Sequence, residues 1–111
     1  MMRGEALTAL LAAVEAGESN WPPEIGLALG DHVIDRSHAA LHGSVDAVIR
    51  LEAPLRQRGW LLAVEGNGSG DFFAELAPPD GGRQVSGRAS SEAPARLMAV
   101  IRALLKNEAA P

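Results

Sequence analysis

Two apolar, β-rich runs, Trp60 to Glu65 and Asp71 to Leu76, flank the glycine-rich segment Gly66-Asn67-Gly68-Ser69-Gly70. Asn-Gly between two such runs is the strongest short-range signal for a hairpin. With five residues in the connection, the loop tip is expected to move. Pro78-Pro79-Asp80-Gly81-Gly82 supplies a second turn, and Arg83 to Ala89 a third strand. The pattern therefore predicts a three-stranded antiparallel meander. So small a sheet cannot protect both faces alone, so helices must pack on it, and its open edges suit a homo-oligomer, a dimer or higher.

Helices flank this sheet on both sides in sequence. After it, Ser90 or Ser91 caps a helix with Glu92 and Pro94 in its first turn and a stripe of Leu97, Val100, Ile101, Leu104 and Leu105. The tail from Asn107 to Pro111 is expected to fray. Before it, Leu7, Leu10, Leu11 and Val14 mark an amphipathic helix over Glu5 to Ala16, stopped by Gly17. Trp21-Pro22-Pro23 reads as extended, followed by a short helix from Pro23 to Leu29 with Gly30 as its stop. Asp31 to Ala40 is read as a surface loop, with a short strand at Val33 and Ile34 as the alternative. Ser44 caps a further helix that Pro54 should end near Glu52 or Ala53. The expected class is α+β, a single domain over 1–111 ordered from about 5 to 106. The expected order is α-α-α-β-β-β-α, layered as an α/β/α sandwich around the meander.

Composition narrows the chemistry. The 111 residues contain no cysteine, which removes disulfides, zinc–thiolate sites, iron–sulfur clusters and thiol nucleophiles together. A formal charge of −4 and the lack of any Lys/Arg run argue against DNA or RNA as partner. Lys106 is the only lysine among ten basic residues, and the arginines suit fixed recognition of phosphate or carboxylate. Ala6 to Val14 is too short for a signal sequence and lies between Glu5 and Glu15; no run approaches the ~20 apolar residues of a membrane span. The reading is a cytoplasmic protein with no membrane association and no cofactor.

No catalytic constellation stands out, and the expectation is that the chain is not an enzyme. His38 and His42 have the spacing of a helical metal pair, but the intervening Ala39-Ala40-Leu41 lacks the glutamate of H-E-x-x-H, and Gly43 follows. His42, Ser44 and Asp46 are the residue types of a catalytic triad, yet capping already accounts for Ser44 and Asp46. The glycine-rich loop lacks the G-K-[ST] ending of a P-loop, though Asn67 at its tip is placed to touch a ligand. Phe72 and Phe73 should emerge on opposite sheet faces, as should Arg83 and Arg88. An arginine beside an exposed ring fits nucleobase stacking with phosphate capture, and pairing of that arginine with Asp71 or Glu75 is the competing explanation. Trp21 and Trp60 read as packing residues, with Trp60 central.

Leu41-His42-Gly43-Ser44-Val45-Asp46-Ala47, then Gly59-Trp60 opening a strand, Phe73-Ala74-Glu75-Leu76, and a last helix beginning Ala93-Pro94-Ala95 form an ordered series. Over about Leu7 to Leu105 it resembles the phage ABA-sandwich domain family of small phage and prophage proteins. The resemblance implies a non-catalytic accessory protein. Some members act as sponges that sequester cyclic or ADP-ribose-type nucleotide signals of bacterial immunity, at interfaces of a homo-oligomer. On that basis Arg83, Arg88, Phe72 and Phe73, with Asn67, are the expected ligand-binding residues. The other classes open at this point are a protein-docking or structural phage protein without small-molecule ligand and, third, a small hydrolase.

Overall fold

The computed structural model describes residues 1–67 and 69–109. In chain order it contains α1 (Arg3–Glu15), α2 (Pro23–Leu29), α3 (Asp31–Leu41), α4 (Val45–Gln57), β1 (Leu61–Gly66), β2 (Phe72–Ala77), β3 (Val85–Ala89) and α5 (Glu92–Ala109). The α+β class and the antiparallel β1-β2-β3 meander are as the sequence predicts. Of the glycine-rich loop, Gly68 lies outside the described residues, as do Ala110 and Pro111 of the tail.

The register sorts the strands into two faces. Leu62 pairs with Leu76 and Val64 with Ala74, and Leu76 and Ala74 pair in turn with Val85 and Gly87. These side chains look onto α5, the one helix in extensive contact with the sheet. Closest approach is at Gly87, where an added Cβ would lie 2.7 Å from Met98 Cβ and 2.8 Å from the Ala99 nitrogen. Only a hydrogen atom fits there, so β3 sits directly on the α5 backbone. On the far side of α5 lie α1, α3 and α4. The layers thus run sheet, α5, remaining helices, and no helix packs extensively across the face of Leu61, Ala63, Glu65, Phe73, Glu75 and Arg88. This replaces the expected helical layer on both sides. The reason is visible in α5, whose buried residues Ala93, Ala95, Leu97, Ala99, Val100, Ile101 and Ala103 fill more than one face. A helix apolar on two sides belongs in the middle of a structure.

One contiguous core joins Leu7, Leu10, Ile25, Val48, Leu55, Trp60, Leu76, Leu97 and Ile101. Trp60, 4% exposed and immediately ahead of β1, is central as expected. Within this core Glu52 is fully buried, and Arg96 grips it with two bonds, Nε to Oε2 at 2.8 Å and Nη2 to Oε1 at 2.6 Å. The Arg96 guanidinium also reaches Glu92 at 2.8 Å. Its pKa is raised, first through the hydrogen bond to Glu52. This charged clamp ties α4 to α5.

Four boundaries depart from expectation. Asp31 to Leu41 is helix α3, not loop or strand. Its buried face is Val33, Ser37 and Ala40, so a serine and an alanine occupy what would otherwise be a legible apolar stripe. Gly30, at φ 96°, ends α2 and also turns the chain directly into α3. Helix α4 continues through Pro54 to Gln57, because buried Leu51 and Leu55 and the Glu52 clamp hold its last turn in spite of the missing N–H. β3 begins at Val85, not Arg83. Asn107 and Glu108 remain helical, with Glu108 bonded to Arg3 at 2.8 Å. Ser44 caps α4 as expected, its Oγ accepting from the Ala47 amide at 3.2 Å.

Candidate functional site

The five residues expected to bind ligand do not come together. Phe72 faces inward and packs against the core. Arg83 precedes β3 in an exposed turn, and Lys106 bonds its carbonyl. Asn67, Phe73 and Arg88 do share a shallow recess of about 320 Å³ beside the hairpin loop, with Glu65, Gly66 and Asp71. There Arg88 is committed to Asp71, with Nε 3.0 Å from Oδ2 and Nη2 on the same oxygen. That hydrogen bond holds the Asp71 carboxyl below the usual carboxylate range. Asn67 is also occupied: its Oδ1 accepts from Ser69 N at 3.1 Å, Ser69 Oγ at 2.7 Å and Asp71 N at 3.1 Å. A recess with two carboxylates and one neutralised arginine repels anions. The pairing of Arg88 with Asp71 is thus present in the structure.

The cationic side chains collect elsewhere. A cavity of about 290 Å³ opens where α3 and α4 meet the start of α1 and the end of α5. Arg3, Arg36, Arg50 and Arg58 line it together with His32, and Glu108 is its one carboxylate. Glu108 is bonded to Arg3 at 2.8 Å. Arg36, Arg50 and Arg58 form no ion pair and no side-chain hydrogen bond among the described residues. The apolar wall beneath them is Val33, Leu51, Leu55 and Leu104.

Helical spacing produces this arrangement. His32 and Arg36 are i and i+4 on α3, while Arg50, Pro54 and Arg58 step along one side of α4 and its C-terminal cap. The same helices turn Val33, Leu51 and Leu55 into the core, so polar rim and apolar wall alternate on adjacent turns. An adjoining recess shares Arg36 and Arg50 and brings Asp35, Ser44 and Asp46 to its wall. Neither aspartate is paired with either arginine among the described residues. Reading Asp31 to Ala40 as a loop hid this site. With that segment helical, the four-residue steps His32–Arg36 and Arg50–Pro54–Arg58 are the signal that finds it.

A guanidinium presents donors in a planar fork that matches phosphate or carboxylate, and it remains charged at any physiological pH. Low-dielectric walls strengthen such contacts relative to open water. Three forks without carboxylate partners among the described residues around one pocket, in a chain of net charge −4, form a local reversal of the protein's own field. The volume lies at the lower end of small-molecule sites.

The other sequence candidates resolve into structural roles. His42 Nδ1 lies 2.9 Å from the His38 carbonyl, and the His38 ring stacks on Trp21 with centroids 3.8 Å apart. No group of three or more potential metal ligands occurs among the described residues. Ser44 is engaged as the α4 cap. No helix among the described residues is long and apolar enough to cross a membrane. Set beside known proteins, the chain matches no family model, no curated protein and no solved structure.

Proposed function

We propose that this chain is a non-catalytic binding protein for a small, multiply charged anion, held in the arginine-lined cavity between α3 and α4. The observation that carries this reading is the trio Arg36, Arg50 and Arg58, which meet at one apolar-walled pocket without carboxylate partners among the described residues. Unpaired like charges repel, so their gathering costs stability unless an anion offsets it. Phosphorylated small molecules fit best, because each phosphate accepts two parallel bonds from a guanidinium. The arginine planes also offer stacking surface to a flat base. Nucleotide signals of the cyclic or ADP-ribose type, and a phage-type accessory role in sequestering them, are the specific form that the family resemblance adds.

Isothermal titration against pyrophosphate, ADP, ADP-ribose and cyclic dinucleotides tests the reading. At least one should bind, and Arg50→Ala or Arg58→Ala should each weaken it by roughly 1.5–3 kcal/mol, the worth of a charge-assisted bond. Arg88→Ala should leave the affinity unchanged. Ligand recovered intact from the complex supports sequestration, whereas its consumption would speak for an enzyme. Equal affinity in the parent and the Arg50 and Arg58 variants would move the site elsewhere. The uncovered sheet face is the observation that favours the second reading, a protein-docking module.

A further inference from the structure

We infer that β1 is a pairing edge, and that two copies of this chain join there, β1 antiparallel to β1, into a continuous six-stranded sheet. The inference is independent of the anion site, since it rests on which backbone groups of the sheet are left open.

The two edges of the meander are not equivalent. Hydrogen-bonded and non-bonded pairs alternate along an antiparallel ladder. The Asn67 amide bonds the Asp71 carbonyl at 3.0 Å at the mouth of the β1–β2 hairpin. Counting back from this bonded pair, Glu65, Ala63 and Leu61 direct their N–H and C=O groups toward β2. Leu62, Val64 and Gly66 direct theirs outward. Carrying the alternation across β2 turns Ser86 and Arg88 outward on β3. On that edge the Ser86 carbonyl is taken by Arg102 Nη1 of α5, and Lys106 caps the Arg83 carbonyl just ahead of it. Side chains of α5 thus occupy the Ser86 end of the β3 edge.

Among the described residues no side chain bonds the outward groups of β1 in this way. The strand reads Leu61-Leu62-Ala63-Val64-Glu65-Gly66, without the lysine, proline or bulge that commonly protects an edge. Helix α5 lies mainly beneath β3 and β2. Leu62 and Val64 consequently stay half-buried although they face the core side, and Leu61 is 73% exposed.

The strand is complementary to itself. A two-fold axis through Val64 sets Val64 opposite Val64 and Leu62 opposite Gly66, keeping these positions on the core side of both sheets. This register engages the outward groups of Leu62, Val64 and Gly66 in both copies. Each Leu62 side chain lands over the glycine of the other copy, beside the Phe72 ring that leaves no room for a Cβ at Gly66. On the opposite face Ala63 meets Glu65, so no like charges stand opposite each other. The shared strand alone is a small interface, which places the dimer in the weak, concentration-dependent class.

The natural absence of cysteine makes the test clean. Light scattering coupled to gel filtration should show a dimer fraction that grows with concentration. Val64→Pro removes only an outward N–H, so it should give a monomer with the parent's circular dichroism. Val64→Cys should be joined into a covalent dimer by a short bifunctional thiol cross-linker, because bonded antiparallel pairs hold their Cα atoms about 5.5 Å apart, within the span of such a linker. Ser86→Cys, at the occupied end of the β3 edge, should not. A strictly monomeric parent, a dimer that survives Val64→Pro, or cross-linking at Ser86 in preference to Val64 would each overturn the inference. If Val64→Pro melts early, the cysteine pair decides alone.

Discussion

Removing the Arg96 side chain should be among the most damaging single changes in this protein. Glu52 is fully buried, and among the described residues Arg96 supplies the only hydrogen bonds to its two oxygens, at 2.8 and 2.6 Å. Arg96→Met keeps the bulk and strands the carboxylate, for which breaking a buried pair costs about 3–5 kcal/mol. With unfolding entropy near 2.1 cal/mol/K per residue, 1 kcal/mol corresponds to roughly 4 °C for a chain of this length, so Tm should fall by about 13–21 °C. Glu52→Gln should cost less, about 1–3 kcal/mol, because the amide still accepts a bond and Arg96 keeps Glu92 at 2.8 Å. The double variant Glu52→Leu/Arg96→Met removes both charges and should recover most of the loss, since apolar replacement of a buried pair is often neutral or better. Calorimetry on the four proteins measures all of this. If Arg96→Met melts within about 4 °C of the parent, or the double variant is no more stable than Arg96→Met alone, the clamp is not the buried pair described.

Three further outcomes follow from particular contacts. Gly87→Ala should destabilise by more than the usual ~1–3 kcal/mol of overpacking, because the new Cβ meets the α5 backbone, which cannot rotate away; urea unfolding reports it. Ser37→Ala should be neutral or stabilising by about 1 kcal/mol, because the Ser37 hydroxyl is buried without a partner among the described residues; a loss beyond 1 kcal/mol would reveal a bond to that hydroxyl. The Asp71 carboxyl is held low by Arg88, so its contribution is complete above the ordinary carboxylate range and fades as pH falls through the lowered native value. Asp71→Asn should therefore flatten the dependence of the urea midpoint on pH below about 4.

What was legible in the sequence follows from periodicity and turn chemistry. The meander was visible because Asn67 and the glycines punctuate two β-rich runs, and α1 and α5 were visible because leucines recur at helical spacing. Phe72 and Phe73 were rightly set on opposite faces by strand parity alone. Helix α3 was not legible, since its inward positions hold Val33, Ser37 and Ala40, and Ser37 breaks the apolar repeat. The layer order was hidden because a stripe along α5 shows one buried face and leaves a second, made largely of alanines, unannounced. The cavity depended on α3 and on the far end of α4. Arg36 lay in a supposed loop and Arg58 beyond a supposed helix end, so only the folded chain brings them beside Arg50. Arg88 shows the converse: its exposed position was foreseeable, whereas the sequence left Asp71 and Glu75 equally open as its carboxylate partner and the fold pairs it with Asp71 at 3.0 Å.

The central claim is where an anion binds. Amide and arginine side-chain NMR spectra of the protein, titrated with pyrophosphate, locate the contact directly. The account predicts saturable shifts confined to His32, Arg36, Arg50 and Arg58 and to the turns of α3 and α4 that carry them. Shifts centred instead on Asn67, Phe73 and Arg88, or none at millimolar pyrophosphate, would contradict it.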